Sequence, residues 1–140
     1  MTPKQYQSFG EISFDKLSET LIACGRIVVR EIIQGVKSRT KPDGSPQKAN
    51  APSTVKAKGH DHPVVEKRHR FEQPSTYLVA PIEENTVAIT ILSPTDSEIA
   101  AGLDERGYEF FGITDKAADE AYDIMDAYLA QEIGKQWGNK

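Results

Sequence analysis

Three kinds of residue in this chain could do chemistry: a lone thiol, a few imidazoles, and several neighbouring carboxylates. Cys24 is the single cysteine, and a nucleophilic thiolate needs an adjacent base or positive charge to hold the sulfur ionised. No histidine lies near it in sequence, and it falls on the apolar side of a helical repeat, so it reads as a small buried hydrophobe. His60, His62 and His69 are spaced so that imidazoles could reach one zinc ion, yet no cysteine pair and no His-x-x-x-His helix accompanies them. A solvated loop is the simpler reading of that cluster. The acids Glu83 and Glu84, Asp104 and Glu105, and Asp119 and Glu120 are chain neighbours. Adjacent carboxylates diverge instead of converging on one proton, so they read as surface charge. Gly44 and Gly59 stand alone and form no phosphate-cradling loop. Nothing here argues for an enzyme, and no catalytic, cofactor-binding or metal-binding residue is assigned.

Charge distribution is more telling than any of these. The chain has 140 residues and a net charge of −4, with 17 Lys and Arg against 21 Asp and Glu. Residues 37–70 hold nine of those cations and only Asp43, Asp61 and Glu66 as acids, a local balance of +6. The rest of the chain is left at −10, and from Asp96 to Glu132 eleven acids face only Arg106 and Lys116. A basic segment of this kind can meet phosphates, which supply most of the affinity of DNA binding. Phe71 is the only aromatic near it, which is poor provision for base stacking. The other partner for a +6 arm is an acidic protein surface, including the acidic half of a second copy.

The elements that must carry these residues follow from periodicity. Apolar residues at Phe14, Leu17, Leu21, Cys24, Val28, Ile32 and Val36 step down one helical face, predicting a helix over 14–37 capped by Ser13. Ile22, Ile27, Val29 and Ile33 widen the stripe, so this helix should touch more than one layer. Five prolines interrupt residues 38–75, which therefore read as one long extended basic loop. The period then shortens to two, predicting a hairpin over 76–93 turned at Glu83, Glu84 and Asn85. A short helix over 96–103, a third short strand over 108–111 and a helix over 114–136 capped by Thr114 complete the chain. The class is α+β, a single domain in which two long helices pack on a small antiparallel sheet. One cysteine excludes an internal disulfide framework and suits a reducing compartment. No apolar run approaches the roughly 20 residues of a membrane span, and the first residues hold no signal-peptide core.

Read in order, these pieces resemble the phage virion-morphogenesis family, the tail-completion and head–tail joining proteins of tailed bacteriophages. The resemblance rests on the run from Thr40 to Lys48 (TKPDGSPQK), the run from Ala51 to Gly59 (APSTVKAKG), and the run from Glu105 to Thr114 (ERGYEFFGIT) just before the last helix. It spans about residues 14–135. Gln47 stands where the family pattern often has a tryptophan. The resemblance implies a structural virion protein forming a ring, commonly hexameric, at the head–tail junction, assembled in the host cytoplasm. Its implied partners are copies of itself, the adjacent connector or stopper, and a tail-tube or terminator protein, with DNA passing through the channel and no membrane or cofactor.

On that reading the partner-contacting arm runs from Lys41 to Arg70 and includes Lys48, Lys56, Lys58, Lys67 and Arg68. Asp43 and Gly44 should shape its turn, while Arg106 and Phe110 should anchor the last strand. Two other readings stay open at this point: a small DNA-binding protein using residues 37–70, and a metal-dependent hydrolase built on His60, His62 and His69.

Overall fold

The computed structural model describes residues 16–50, 52–60, 62, 64–65, 68–83 and 85–137. Ser13, Phe14, Asp61, Glu66, Lys67 and Glu84, to which the sequence reading gives roles, lie outside the described residues. The class is α+β, as expected. Helix α1 spans Leu17–Ser38 and buries Val28, Val29, Ile32, Ile33 and Val36. Its cap position is Lys16, at φ 63° with no side-chain cap. The helix stops where Arg39 turns left-handed at φ 60° and its N–H reaches back to the carbonyls of Gly35 and Val36, the usual way of satisfying a last turn.

Strands β1 (Tyr77–Glu83) and β2 (Thr86–Ile91) form an antiparallel hairpin that pairs Tyr77 with Ile91, Val79 with Ile89 and Pro81 with Val87. Tyr77, Val79, Ile89 and Ile91 turn toward α1, following the alternation of a half-buried strand. Two further helices follow. In α3 (Pro94–Glu105) Ser93 Oγ accepts from the Asp96 N–H at 3.4 Å, with Pro94 opening the first turn. In α4 (Asp115–Trp137) Thr114 Oγ1 accepts from the Ala117 N–H at 3.0 Å, the cap the sequence predicts. Helix α1 packs against both the hairpin and α4. Glu31, 8% exposed, is held between Arg30 Nε at 3.0 Å and Lys116 Nζ at 3.5 Å, and Arg30 also reaches Glu120 at 2.5 Å. Among the described residues no helix is long and apolar enough to cross a membrane.

Two expectations need correction. Residues 38–75 are not one extended loop. A bridge between Thr40 and Pro46 closes a turn, helix α2 spans Pro52–Lys58, and two single-turn 3₁₀ helices occupy Arg70–Glu72 and Pro74–Thr76. Val64 and Phe71 from this stretch are 2% and 1% exposed and belong to the core. Isolated apolar residues among prolines have no period to read, so their burial is invisible to a pattern search. Nor is there a third strand at 108–111, since the only sheet among the described residues has two strands. Consecutive residues of a strand should point to opposite faces. Here Phe110 packs on Phe71 with centroids 4.5 Å apart, while Phe111 stacks on Tyr77 at 6.1 Å. The segment is fixed by side chains and not by a ladder.

Candidate functional site

The turn at Lys41–Ser45 is built by its own side chains. The Lys41 N–H donates to the Ser45 carbonyl at 2.7 Å and the Gly44 N–H to the Lys41 carbonyl at 2.9 Å. Asp43 Oδ1 accepts from the Ser45 N–H at 2.8 Å and from Ser45 Oγ at 2.5 Å. Those hydroxyl and amide donors hold the Asp43 carboxyl below the usual carboxylate range. Gly44 sits at φ 88°, a conformation that a side chain would oppose. Asp43 and Gly44 shape the turn, as the sequence suggests.

This turn docks on the segment before α4, some seventy residues later in the chain. A Cβ placed on Gly112 would lie 3.0 Å from Pro42 Cγ, so only the absence of a side chain there lets the ring in so closely. Gln47 donates from Nε2 to the Glu109 carbonyl. The Lys48 ammonium lies 4.9 Å from the centre of the Tyr108 ring, within cation–π range. Two of the three motif runs thus form one surface. The first turn of α4 joins it, since Glu31, Ser38, Lys41, Asp43, Thr114 and Lys116 line a cleft of about 290 Å³. Gln47, Tyr108 and Gly112 fall in the motif runs, but their contacts were not expected, because the sequence carries no signal for contacts made between distant loops.

The basic residues divide into two groups. Lys48, Lys56 and Arg68 are exposed, and α2, which carries Lys56, buries none of its residues. Lys41, Lys58 and Arg70 are half-buried. Lys58 Nζ donates to the His62 carbonyl at 2.6 Å, and Arg70 pairs with Asp96 at the start of α3 at 2.8 Å. Arg70 was expected on the partner-facing arm, yet it ties that arm to its own subunit. Phe110, 4% exposed, is a core residue that anchors its segment from inside, and as a contact to a partner it is corrected. Arg106 is exposed, and its N–H closes the end of α3.

The histidines do not converge. His62 is 8% exposed, with Nε2 2.5 Å from the Val36 carbonyl. Its Nδ1 accepts from the amides of Val64 and Val65, each at 3.3 Å. Both ring nitrogens are occupied by backbone, so this imidazole is a structural bracket and offers no lone pair to a metal. Burial keeps its pKa below the ordinary value of 6.5, aided by Arg39 and Lys58 and opposed by the bond to Val36 and by Glu72. His60 Nδ1 accepts from the His62 N–H at 3.2 Å, and His69 Nδ1 faces Glu72 at 3.1 Å. Among the described residues no three His, Cys, Asp or Glu side chains could hold one ion. Cys24 is half-buried, its thiol 3.7 Å from the Ala121 carbonyl and its pKa raised by burial, the opposite of an activated nucleophile.

No protein-family model matches the chain, and no curated protein or solved structure matches it.

Proposed function

We propose that the chain is a non-enzymatic structural protein of a tailed-phage virion, assembling as a ring at the head–tail junction. The observation that carries this reading is the uneven charge of the chain, +6 over residues 37–70 against −10 elsewhere, on a braced scaffold. The basic segment is pinned to the core by His62, Val64 and the adjoining Phe71 and keeps Lys48, Lys56 and Arg68 exposed, while most acids outside it lie on α3 and α4. A bracketed arm of one sign and a helical surface of the other favour head-to-tail contact between copies, which closes into a ring when the rotation allows. The docking of the Lys41–Ser45 turn on the segment from Tyr108 to Gly112 adds support, because it unites two of the three runs that carry the family resemblance.

The DNA-binding reading is weaker. Lys56 and Arg68 are exposed, but Phe71, the single aromatic near them, is buried and gives no stacking surface.

Sedimentation of the full chain at rising concentration, followed by electron microscopy of the assembled fraction, tests the ring. Rings that disperse as salt is raised support it. A chain that stays monomeric and never joins a connector or tail tube sinks it. Salt-sensitive retention on DNA, lost when Lys56, Lys58, Lys67 and Arg68 are changed to Gln, would move the case to the second reading.

A further inference from the structure

We infer that copies of this chain join by sheet extension, the outer edge of β2 in one copy pairing with the outer edge of β1 in the next. The inference deepens the ring reading above and rests on it for the head-to-tail geometry.

The ladder phase shows which groups face outward. The Leu92 N–H donates to the Thr76 carbonyl at 3.0 Å, and that pair shares the register of Tyr77 with Ile91. Hydrogen-bonded pairs alternate with non-bonded ones, so Leu78 with Thr90 and Ala80 with Ala88 bond inward. Tyr77, Val79 and Pro81 on β1, and Val87, Ile89 and Ile91 on β2, then turn their main-chain groups to the outer edges. Two facts agree with this phase. The Tyr77 N–H is taken outside the hairpin by the Pro74 carbonyl, and Pro81, which has no N–H, stands at an outward position.

The two edges are not alike. β2 reads TVAITI, with no charge, no proline and no bulge, and so lacks the devices that usually blunt an exposed edge. A groove of about 580 Å³ runs beside Ile89, Thr90 and Ile91, its far wall made by Ser97, Ala100, Ala101 and Asp104 of α3. Phe110 and Phe111 also line it, but their segment does not pair with β2, which leaves the β2 edge without a third strand. Ser97, Ala100 and Ala101 keep the α3 wall small beside that edge. The edge of β1 borders a second cleft of about 560 Å³ in which Arg26, Arg30 and Lys37 of α1 stand beside Tyr77 and Val79. Among the described residues no cation lines the groove beside β2, and no acid lines the cleft beside β1. Exposed Glu98 and Glu105 lie on α3 beside that wall, with Arg106 the one cation after them, so the β2 side is net acidic. Arg26 and Lys37 make the β1 side basic, Arg30 being already paired with Glu31 and Glu120.

Opposite signs at the two edges select β1 of a second copy as the occupant, and disfavour like-edge pairing of β2 with β2. Continuing the register of the hairpin, the N–H groups of Val87, Ile89 and Ile91 would donate to the carbonyls of Pro81, Val79 and Tyr77 of the next copy. The Val79 N–H would return to Ile89. The outward side chains Leu78, Ala80, Ile82, Ala88 and Thr90 are uncharged and do not oppose such a sheet.

The test uses the full chain in sedimentation velocity, with circular dichroism to confirm that each variant is folded. Ala101→Trp fills the groove from an exposed helix position and should weaken association about tenfold or more. The pair Arg26→Glu with Lys37→Glu should abolish self-association, as should the pair Asp104→Lys with Glu105→Lys. Mixing these two folded variants should restore it, since each then offers the edge the other lacks. Association indifferent to Ala101→Trp and to both charge reversals overturns edge pairing while leaving a ring built by another surface. Loss with Ala101→Trp but not with the α1 reversal identifies a β2-to-β2 dimer and overturns the assignment of β1. A wild-type chain that is monomeric at every concentration overturns the inference, whereas the ring reading itself falls only if the chain is absent from ring density in assembled particles.

Discussion

His62 Nε2 stands 2.5 Å from the carbonyl of Val36, in the last turns of α1, while the same ring's Nδ1 receives the amides of Val64 and Val65. Only the neutral imidazole with its proton on Nε2 satisfies both sides, since a proton on Nδ1 would face two N–H donors. The bracket fixes the middle of the basic segment to the end of the first helix, and it is sensitive to pH.

The sign follows from where the proton goes. Burial lowers the folded-state pKa of His62 below 6.5, so the unfolded chain binds the proton more readily. Its contribution is therefore complete above pH 6.5 and declines as pH falls through that value toward the folded pKa. Urea denaturation at pH 7.5 and at pH 5.5 should show lower stability at the acidic value. His62→Asn should be less stable at pH 7.5 and should show a flatter dependence across the same interval. A variant with an unchanged slope would assign the acid sensitivity to other groups.

Phe71 and Phe110 join the basic segment to the last connection from inside, with centroids 4.5 Å apart and exposures of 1% and 4%. Truncating either to Ala removes a buried ring and leaves a cavity, which costs about 3–5 kcal/mol. Because the two rings touch, the double variant should cost less than the sum of the single ones. Equilibrium unfolding of the three variants measures this. Strict additivity would mean that the two rings act independently.

How much of this was legible in the sequence depended on whether neighbours along the chain were also neighbours in space. The stripe from Leu21 to Val36 and the alternation from Tyr77 to Ile91 are local signals, and both elements were readable, as was the Thr114 cap. Asp43 and Gly44 form their turn from contacts two or three residues apart, so their role was readable too. His62, Val64 and Phe71 were not, because their burial depends on where α1 ends and where Phe110 lies. Arg70 looked like part of a charged arm because Asp96 is far away in sequence. The third strand failed for a different reason. Alternation is present at 108–111, but Phe110 packs on Phe71 and Phe111 on Tyr77, and the segment joins no ladder.

Arg70 and Asp96 are 2.8 Å apart, with side chains 14% and 20% exposed. An ion pair this sheltered resists salt better than a surface one, and removing either member takes a charge-assisted contact from a half-buried charge. Asp96→Ala should cost about 1–3 kcal/mol, with Arg70→Met similar. A double-mutant cycle run in low and in moderate salt should return a coupling that changes little between them. A coupling near zero would show that the pair is merely adjacent and that α3 is held by its apolar contacts alone.

Gly112 and Pro42 decide whether the Lys41–Ser45 turn is docked or loose. A Cβ at position 112 would meet Pro42 Cγ at 3.0 Å and Pro42 Cβ at 3.1 Å, tighter than ordinary packing allows, and proline cannot rotate away. Gly112→Ala should therefore push the turn outward at a cost of about 1–3 kcal/mol. Pulling the turn away also separates Gln47 from the Glu109 carbonyl and Lys48 from Tyr108, so the change should be cooperative. Hydrogen exchange should show faster exchange at the Gly44 and Gln47 amides, whose acceptors are the Lys41 and Arg39 carbonyls. Pro42→Ala in the same chain removes the obstructing Cγ and should restore most of the protection, although it gives up the proline's own restraint on the unfolded chain. If Gly112→Ala leaves those amides protected and stability unchanged, the turn is held by Asp43 and Ser45 alone and its docking on the last connection contributes nothing.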